Sequence, residues 1–364
     1  MNSQSTSVIL DRKYWEGNPK YFFRTISPRV STHAQRADDA CIQTQIDVFG
    51  RDNVGIIQGS LASAANFAAT IYAESLPDRL PILAYLNEVL SFYEAFEEEM
   101  AEMMGATIDF PVPKDPKFDN PEWQANFKHV LPKIAKTISM ADQNLGPKTI
   151  QAMKELTETP NLSPRMPHYK TMDDYLAERI DDIAWPSVFA CAEFGANLNL
   201  TAEQKESVDA VFRPLWIHSC CVYDYYTWEK ESGIAASHGE GRNIINGIAL
   251  LGRLGGLSVN DAKEWLSRKC FECEEEYLTL KKGYFAKNPS ESLPEDMRKW
   301  FDCQEAIATG FAIWCATTYR HHPPHQKGYL DYYEKRLGEG AMWFDTAEDS
   351  EDLMPGGFEA GNAR

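Results

Sequence analysis

The chain has 364 residues, 43% of them hydrophobic, and a formal net charge of −18. That length and apolar content support a sizeable core and exclude wholesale disorder. The negative charge argues against a nucleic-acid backbone or an anionic membrane as main partner, although a few local arginines can still reverse the field inside a cavity.

Residues 1–30 are mixed in character and read as an ordered N-terminal arm over the body. The opening stretch MNSQSTSVILDRK lacks the basic and apolar blocks of a signal peptide. No uncharged apolar run is long enough to span a bilayer. The eight cysteines are scattered, unlike the dense framework of a small secreted domain, so a soluble, reduced, cytoplasmic protein is expected. From residue 31 to about 335 the pattern is helical almost throughout, interrupted by loops such as FPVPKDPKFDNPEW and ETPNLSPRMPHYK. With no run of alternating strands, no internal repeat and no dividing linker, the expectation is an all-α, single-domain bundle. Residues 336–364, acidic and glycine-rich, read as a flexible tail.

Four segments carry candidate chemistry. In LNEVLSFYEAFEEEM, Glu94 and Glu98 lie four residues apart and face the same way, so they are either a solvated acidic face or a pair of Mg²⁺ ligands. Tyr85, Val89, Phe92 and Phe96 mark a buried side of the same helix. In YLAERIDDIAW, Arg179 and Asp182 read as a surface pair of little energetic worth or, facing a cavity, Arg179 reads as a diphosphate clamp. In CVYDYYTWEKE, Tyr223, Thr227 and Glu231 recur every four residues along one stripe, with Lys230 beside the last two. In GFAIWCATTYRHHPPH, Arg320 precedes His321 and His322, which point different ways on a helix and do not suit a shared metal. Between the last two, GLSVNDAKEWLSRKCFECEEEYL opens on Ser258 and Asp261, a variant capping box. Its apolar stripe of Ala262, Trp265, Leu266, Cys270, Cys273 and Tyr277 makes the Cys-x-x-Cys pair structural rather than zinc-binding or redox-active.

In this order the segments resemble the cyclase half of the fungal chimeric, fusicoccadiene-type class I terpene synthases. That family's acidic helix has Glu, five residues, then Asp-Asp-x-x-Glu; here Glu88 and Glu98 keep the outer acids, while Glu94 and Ala95 replace the two aspartates. Arg179 matches the pyrophosphate-sensing arginine. The second metal motif, Asn-Asp-x-x-Ser-Trp-x-Lys-Glu, appears as Tyr223 through Glu231, and the late motif as Trp314 with Arg320-His321-His322-Pro323.

The resemblance implies a class I terpene synthase bundle around a central apolar cavity, rimmed by Glu94, Arg179, Tyr223 and Arg320. Aromatic residues such as Phe92, Phe96 and Trp314 would line it. It further implies Mg²⁺ held by Glu94, Glu98, Thr227 and Glu231, with Arg179, Lys230 and Arg320 gripping a C20 or C25 prenyl diphosphate supplied by a separate prenyltransferase. The departures fall on metal ligands: a longer acid at 94, none at 95, and a ring at 223. Two enzymatic readings follow. One is a cyclase that ionises the diphosphate with Mg²⁺. The other is a repurposed fold that needs no cofactor and cyclises a diphosphate-free terpenoid, for instance by a Diels–Alder (4+2) reaction, with Tyr223 or His321 polarising a carbonyl. A non-catalytic terpenoid-binding protein is the third.

Overall fold

The computed structural model describes residues 6–11, 15–92, 119–157, 163–237 and 244–321. The described chain is all-α apart from one short ribbon. Helices α1 (Ala34–Phe49), α2 (Phe67–Ile71) and α3 (Leu80–Ser91) come first, then α4 (Pro121–Ala141), α5 (Leu145–Thr157), α6 (Met172–Asp182) and α7 (Trp185–Ala196). The long α8 (Ala202–Ser237), α9 (Gly247–Gly255), α10 (Val259–Lys287) and α11 (Glu295–Thr317) complete the bundle. Glu94, Phe96, Glu98 and the acidic tail lie outside the described residues.

Local chemistry sets the helix starts. Asn120 caps α4 through the Glu122 and Trp123 N–H groups, with Pro121 in the first turn, where its missing N–H costs nothing. Ser258 accepts from Asp261 N at the start of α10, as its capping pattern predicts. Of the stripe that follows, Ala262, Leu266, Cys270, Cys273 and Tyr277 are buried as expected, both cysteines 1% exposed, whereas Trp265 is half-buried. The stripe packs along α8, which thereby has one long side in the core.

No strand is expected from the sequence pattern, whereas Ser7–Ile9 pairs antiparallel with Arg29–Ser31. Three residues are too few for an alternating pattern to register. The ribbon belongs to the N-terminal arm, which is sewn onto α8 and α10. The Glu274 carboxylate accepts from the backbone N–H groups of Arg24 at 2.8 Å, Thr25 at 2.7 Å and Ile26 at 2.8 Å. Tyr226 donates to the Lys20 carbonyl, and Phe22 meets Tyr225 edge-on at 4.7 Å. Phe22 has φ of +56°, a left-handed conformation that costs a side-chain-bearing residue about 1–2 kcal/mol. Its buried ring and its hydrogen-bonded carbonyl hold it there.

That carbonyl accepts from His218 Nε2 at 2.9 Å. The other ring nitrogen, Nδ1, is buried without a partner, as the unprotonated nitrogen of a neutral imidazole would be. Burial lowers the His218 pKa, against the opposing effects of the Phe22 carbonyl and the Glu274 charge. A base with a depressed folded pKa contributes stability that is complete above its unfolded value, about 6.5, and lost as pH falls towards the folded value. The raised Glu231 carboxyl works in the opposite direction over the same range, so the His218 contribution is read as a difference: in urea unfolding between pH 7 and pH 5, His218→Gln, which retains a donor for Phe22, should lose less stability on acidification, or gain more, than the wild type. An unchanged slope in the variant would remove His218 from the account.

Candidate active site

Arg179 and Asp224 form the buried centre of the region. Asp224, on α8 and 0% exposed, accepts from Arg179 Nη2 at 2.8 Å and Nε at 3.1 Å. It also accepts from the Tyr175 hydroxyl at 2.7 Å and from Gly247 N at 2.8 Å. Arg179 Nη1 turns to Asp182. Of the two sequence alternatives for Arg179 and Asp182, the surface pair is overturned, because Arg179 is 3% exposed and bonded to two carboxylates. Burial opposes its charge, but Asp224, Tyr175, Asp182 and Glu231 outweigh that and hold the guanidinium firmly protonated. Burial pushes the Asp224 carboxyl up from its ordinary value, against the Arg179 charge and the donated hydrogen bonds.

One turn on, Thr227 and Glu231 do lie together, as the spacing predicts, and a residue the sequence reading missed joins them. Asn246 Nδ2 lies 2.8 Å from Glu231 Oε2, 2.9 Å from the Asp224 carbonyl and 3.4 Å from Thr227 Oγ1. Its own Oδ1 caps α9 by accepting from Ile248 N at 2.9 Å, which fixes the amide's orientation. A helix-starting asparagine in IINGIALL was the available signal. Burial pushes the Glu231 carboxyl up to about 7, against the attraction of Arg179.

Tyr223 sits between aromatic rings and one guanidinium. Its ring stacks on Phe311 at 6.0 Å, meets His321 nearly edge-on at 6.1 Å, and lies 5.4 Å beneath the Arg179 guanidinium. Trp314 continues this wall, 5.3 Å from His321 and 5.1 Å from Phe67. The Trp314 indole donates to the Ser60 carbonyl at 2.7 Å. Phe92 is fully buried against Phe49, 4.9 Å away, so its ring is engaged in core packing. Lys230 is part-buried on α8.

The acidic helix reaches the same wall through the loop before α2. Glu88, fully buried, accepts from Gln45 Nε2 at 2.6 Å, Ser60 N at 2.7 Å and Ser60 Oγ. Gly59 passes so close that a Cβ there would lie 2.0 Å from Glu88 Oε1, so any side chain at 59 would have to push that carboxylate off its hydrogen bonds. Arg320 donates to the Ser91 carbonyl at 3.0 Å, near the end of α3. Arg179, Tyr223, His321, Trp314 and the Ser60 loop thus form one continuous belt, with Arg320 at its α3 side.

Mg²⁺ requires near-octahedral oxygen coordination. Of the second-motif positions, Thr227 and Glu231 offer oxygens that already face the Asn246 amide, and Tyr223 brings a packed ring. Among the described residues no group of three or more His, Cys, Asp or Glu could hold a metal ion. Within the described part of this motif, the Thr227 and Glu231 oxygens face an amide donor and the third ligand position holds a ring.

The model of terpene synthase family 2, C-terminal metal binding, matches residues 93–276. Terpene cyclase-like protein flvF of Aspergillus flavus is 55% identical over 354 residues, 97% of this chain and 97% of that protein. This chain belongs to the terpene synthase family. Within that family, sesterterpene synthase btcA of Colletotrichum orbiculare is 26% identical over 316 residues, 82% of this chain but 43% of btcA. The chain therefore spans under half the length of that relative. The solved structure of a-eudesmol synthase superposes with a TM-score of 0.54 at 17% identity, covering 79% of this chain and 95% of that one, which shows the shared all-α fold. No helix among the described residues is long and apolar enough to cross a membrane.

Proposed function

We propose that this terpene synthase family member is a cyclase of the repurposed kind, related to the cyclase half of the chimeric fusicoccadiene-type enzymes. It closes rings in a diphosphate-free terpenoid without ionising it. The observation that carries this reading is the Tyr223 ring, packed between Phe311, His321 and Arg179 where the family motif has a metal ligand. The enclosure of Arg179 by Asp224 and Asp182 supports it, because a guanidinium already matched by two carboxylates has little charge left for a diphosphate.

In a Diels–Alder (4+2) closure, two σ bonds form at the expense of two π bonds, with no leaving group and no co-reactant. The wall of Phe67, Phe311, Trp314 and Tyr223 would hold diene and dienophile at reacting distance, which converts orientation into rate. A hydrogen bond from Tyr223 or His321 to a carbonyl would draw electron density from the dienophile as charge develops.

A second reading is Mg²⁺-assisted ionisation of a C20 or C25 prenyl diphosphate from a separate prenyltransferase. It is favoured by Arg320, whose guanidinium bonds to Ser91 just ahead of Glu94 and Glu98, with Lys230 as a further cation. Incubation with geranylgeranyl diphosphate separates the two. The first reading expects no diphosphate release above the buffer control, with or without Mg²⁺. Release that EDTA abolishes and Mg²⁺ restores would overturn it in favour of the second.

A further inference from the structure

The contact between Tyr223 and Phe311 is repeated two helical turns earlier. Trp216 precedes Tyr223 by seven residues on α8, and Gln304 precedes Phe311 by seven on α11. Seven residues of helix span about 10 Å, so the second contact lies that much further along the interior. There Trp216 Nε1 donates to Gln304 Oε1 at 2.8 Å.

An indole nitrogen can only donate, so this bond determines which end of the Gln304 amide is oxygen. The other end, Nε2, is buried and has no hydrogen-bond partner, on a side chain 1% exposed. Both hydrogens of an amide donor are thus withheld from water and from the protein, a costly arrangement that native structures rarely keep without a reason. The surroundings are aromatic. Phe189 lies 5.0 Å from Trp216 and 6.0 Å from Trp300, and stacks on Trp185 at 6.1 Å. Trp216 and Phe189 are only part-buried, whereas Trp185 and Trp300 are closed into the core.

A hydrocarbon chain has no use for a donor in such a place, but an oxygen atom on that chain does. We propose that Gln304 Nε2 binds a carbonyl or hydroxyl oxygen of the substrate, at the end remote from Tyr223. The ligand class is accordingly an oxygenated terpenoid. This rests on the reading that the fold holds a terpenoid at all. Specificity of this kind is strong because a ligand lacking the oxygen leaves the buried donor unpaired.

Two probes test it: farnesylacetone, a terpenoid ketone, and the matched hydrocarbon with methylene in place of the carbonyl. Binding to the full chain is read from quenching of tryptophan fluorescence. The wild-type protein should bind the ketone about tenfold more tightly, the size of one well-placed hydrogen bond. Gln304→Leu should erase the preference while leaving hydrocarbon affinity within about twofold; Gln304→Met, of similar length, stands in if the leucine variant does not fold. Equal wild-type binding of the two probes would overturn the Gln304 assignment and leave the terpenoid reading intact, as would a preference that survives both substitutions. If neither probe binds, the terpenoid reading itself falls, and the assignment with it.

Discussion

Asp224→Ala should lower the unfolding free energy by about 3–5 kcal/mol, the usual cost of removing one partner of a buried ion pair. The carboxylate is fully buried and receives two hydrogen bonds from Arg179, one from Tyr175 and one from the Gly247 backbone. Alanine leaves the guanidinium in the interior with Asp182 as its one remaining ion-pair partner and Glu231 further off, and strands the Gly247 N–H at the start of α9. Asp224→Asn should fall between, since it keeps the shape and one acceptor but loses the charge. Urea unfolding monitored by circular dichroism reads both. A loss below about 1 kcal/mol for Asp224→Ala would show that Arg179 finds other partners, and the pair would lose its place as the structural centre.

The helical frame was readable because its signals are local: apolar spacing, the Ser258 cap, and prolines in the intervening loops. The ordered motifs were readable for the same reason, as each is a few residues on one helix. What the sequence does not display is which motif residues face one another. Arg179 and Asp224 are 45 residues apart, so their pairing became visible only through the packing of α6 on α8. Glu274 did leave a trace. It sits between Cys270 and Tyr277 on the buried side of α10, where a charged residue needs a partner, yet that partner is backbone from the far end of the chain. Gln304 left the same kind of trace, a polar residue in the apolar run of α11 among Trp300, Ile307 and Phe311. Composition could flag it as anomalous, but only the Trp216 bond indicates which atom is free.

Tyr223→Asn should lower cyclisation of a diphosphate-free substrate by about 100-fold, the scale set by removing one preorganised donor at a site of developing charge. The substitution removes a ring that stacks on Phe311 and lies beneath Arg179, together with the phenol. It also restores the amide found in the family's metal motif, so the second reading predicts the opposite: more Mg²⁺-dependent turnover of geranylgeranyl diphosphate. Tyr223→Phe divides the effect into its parts. It retains the stack on Phe311 and the edge contact with His321, so a loss as large as that of asparagine assigns the rate to the hydroxyl. Near-normal turnover in Tyr223→Phe would instead assign it to the shape of the wall, with His321 as the donor. Assays in EDTA complete the set, since a phenol that replaces a metal ligand leaves the native rate indifferent to chelation. A wild-type rate that collapses in EDTA and is exceeded by Tyr223→Asn once Mg²⁺ is returned would mean that the phenol only obstructs a working metal site.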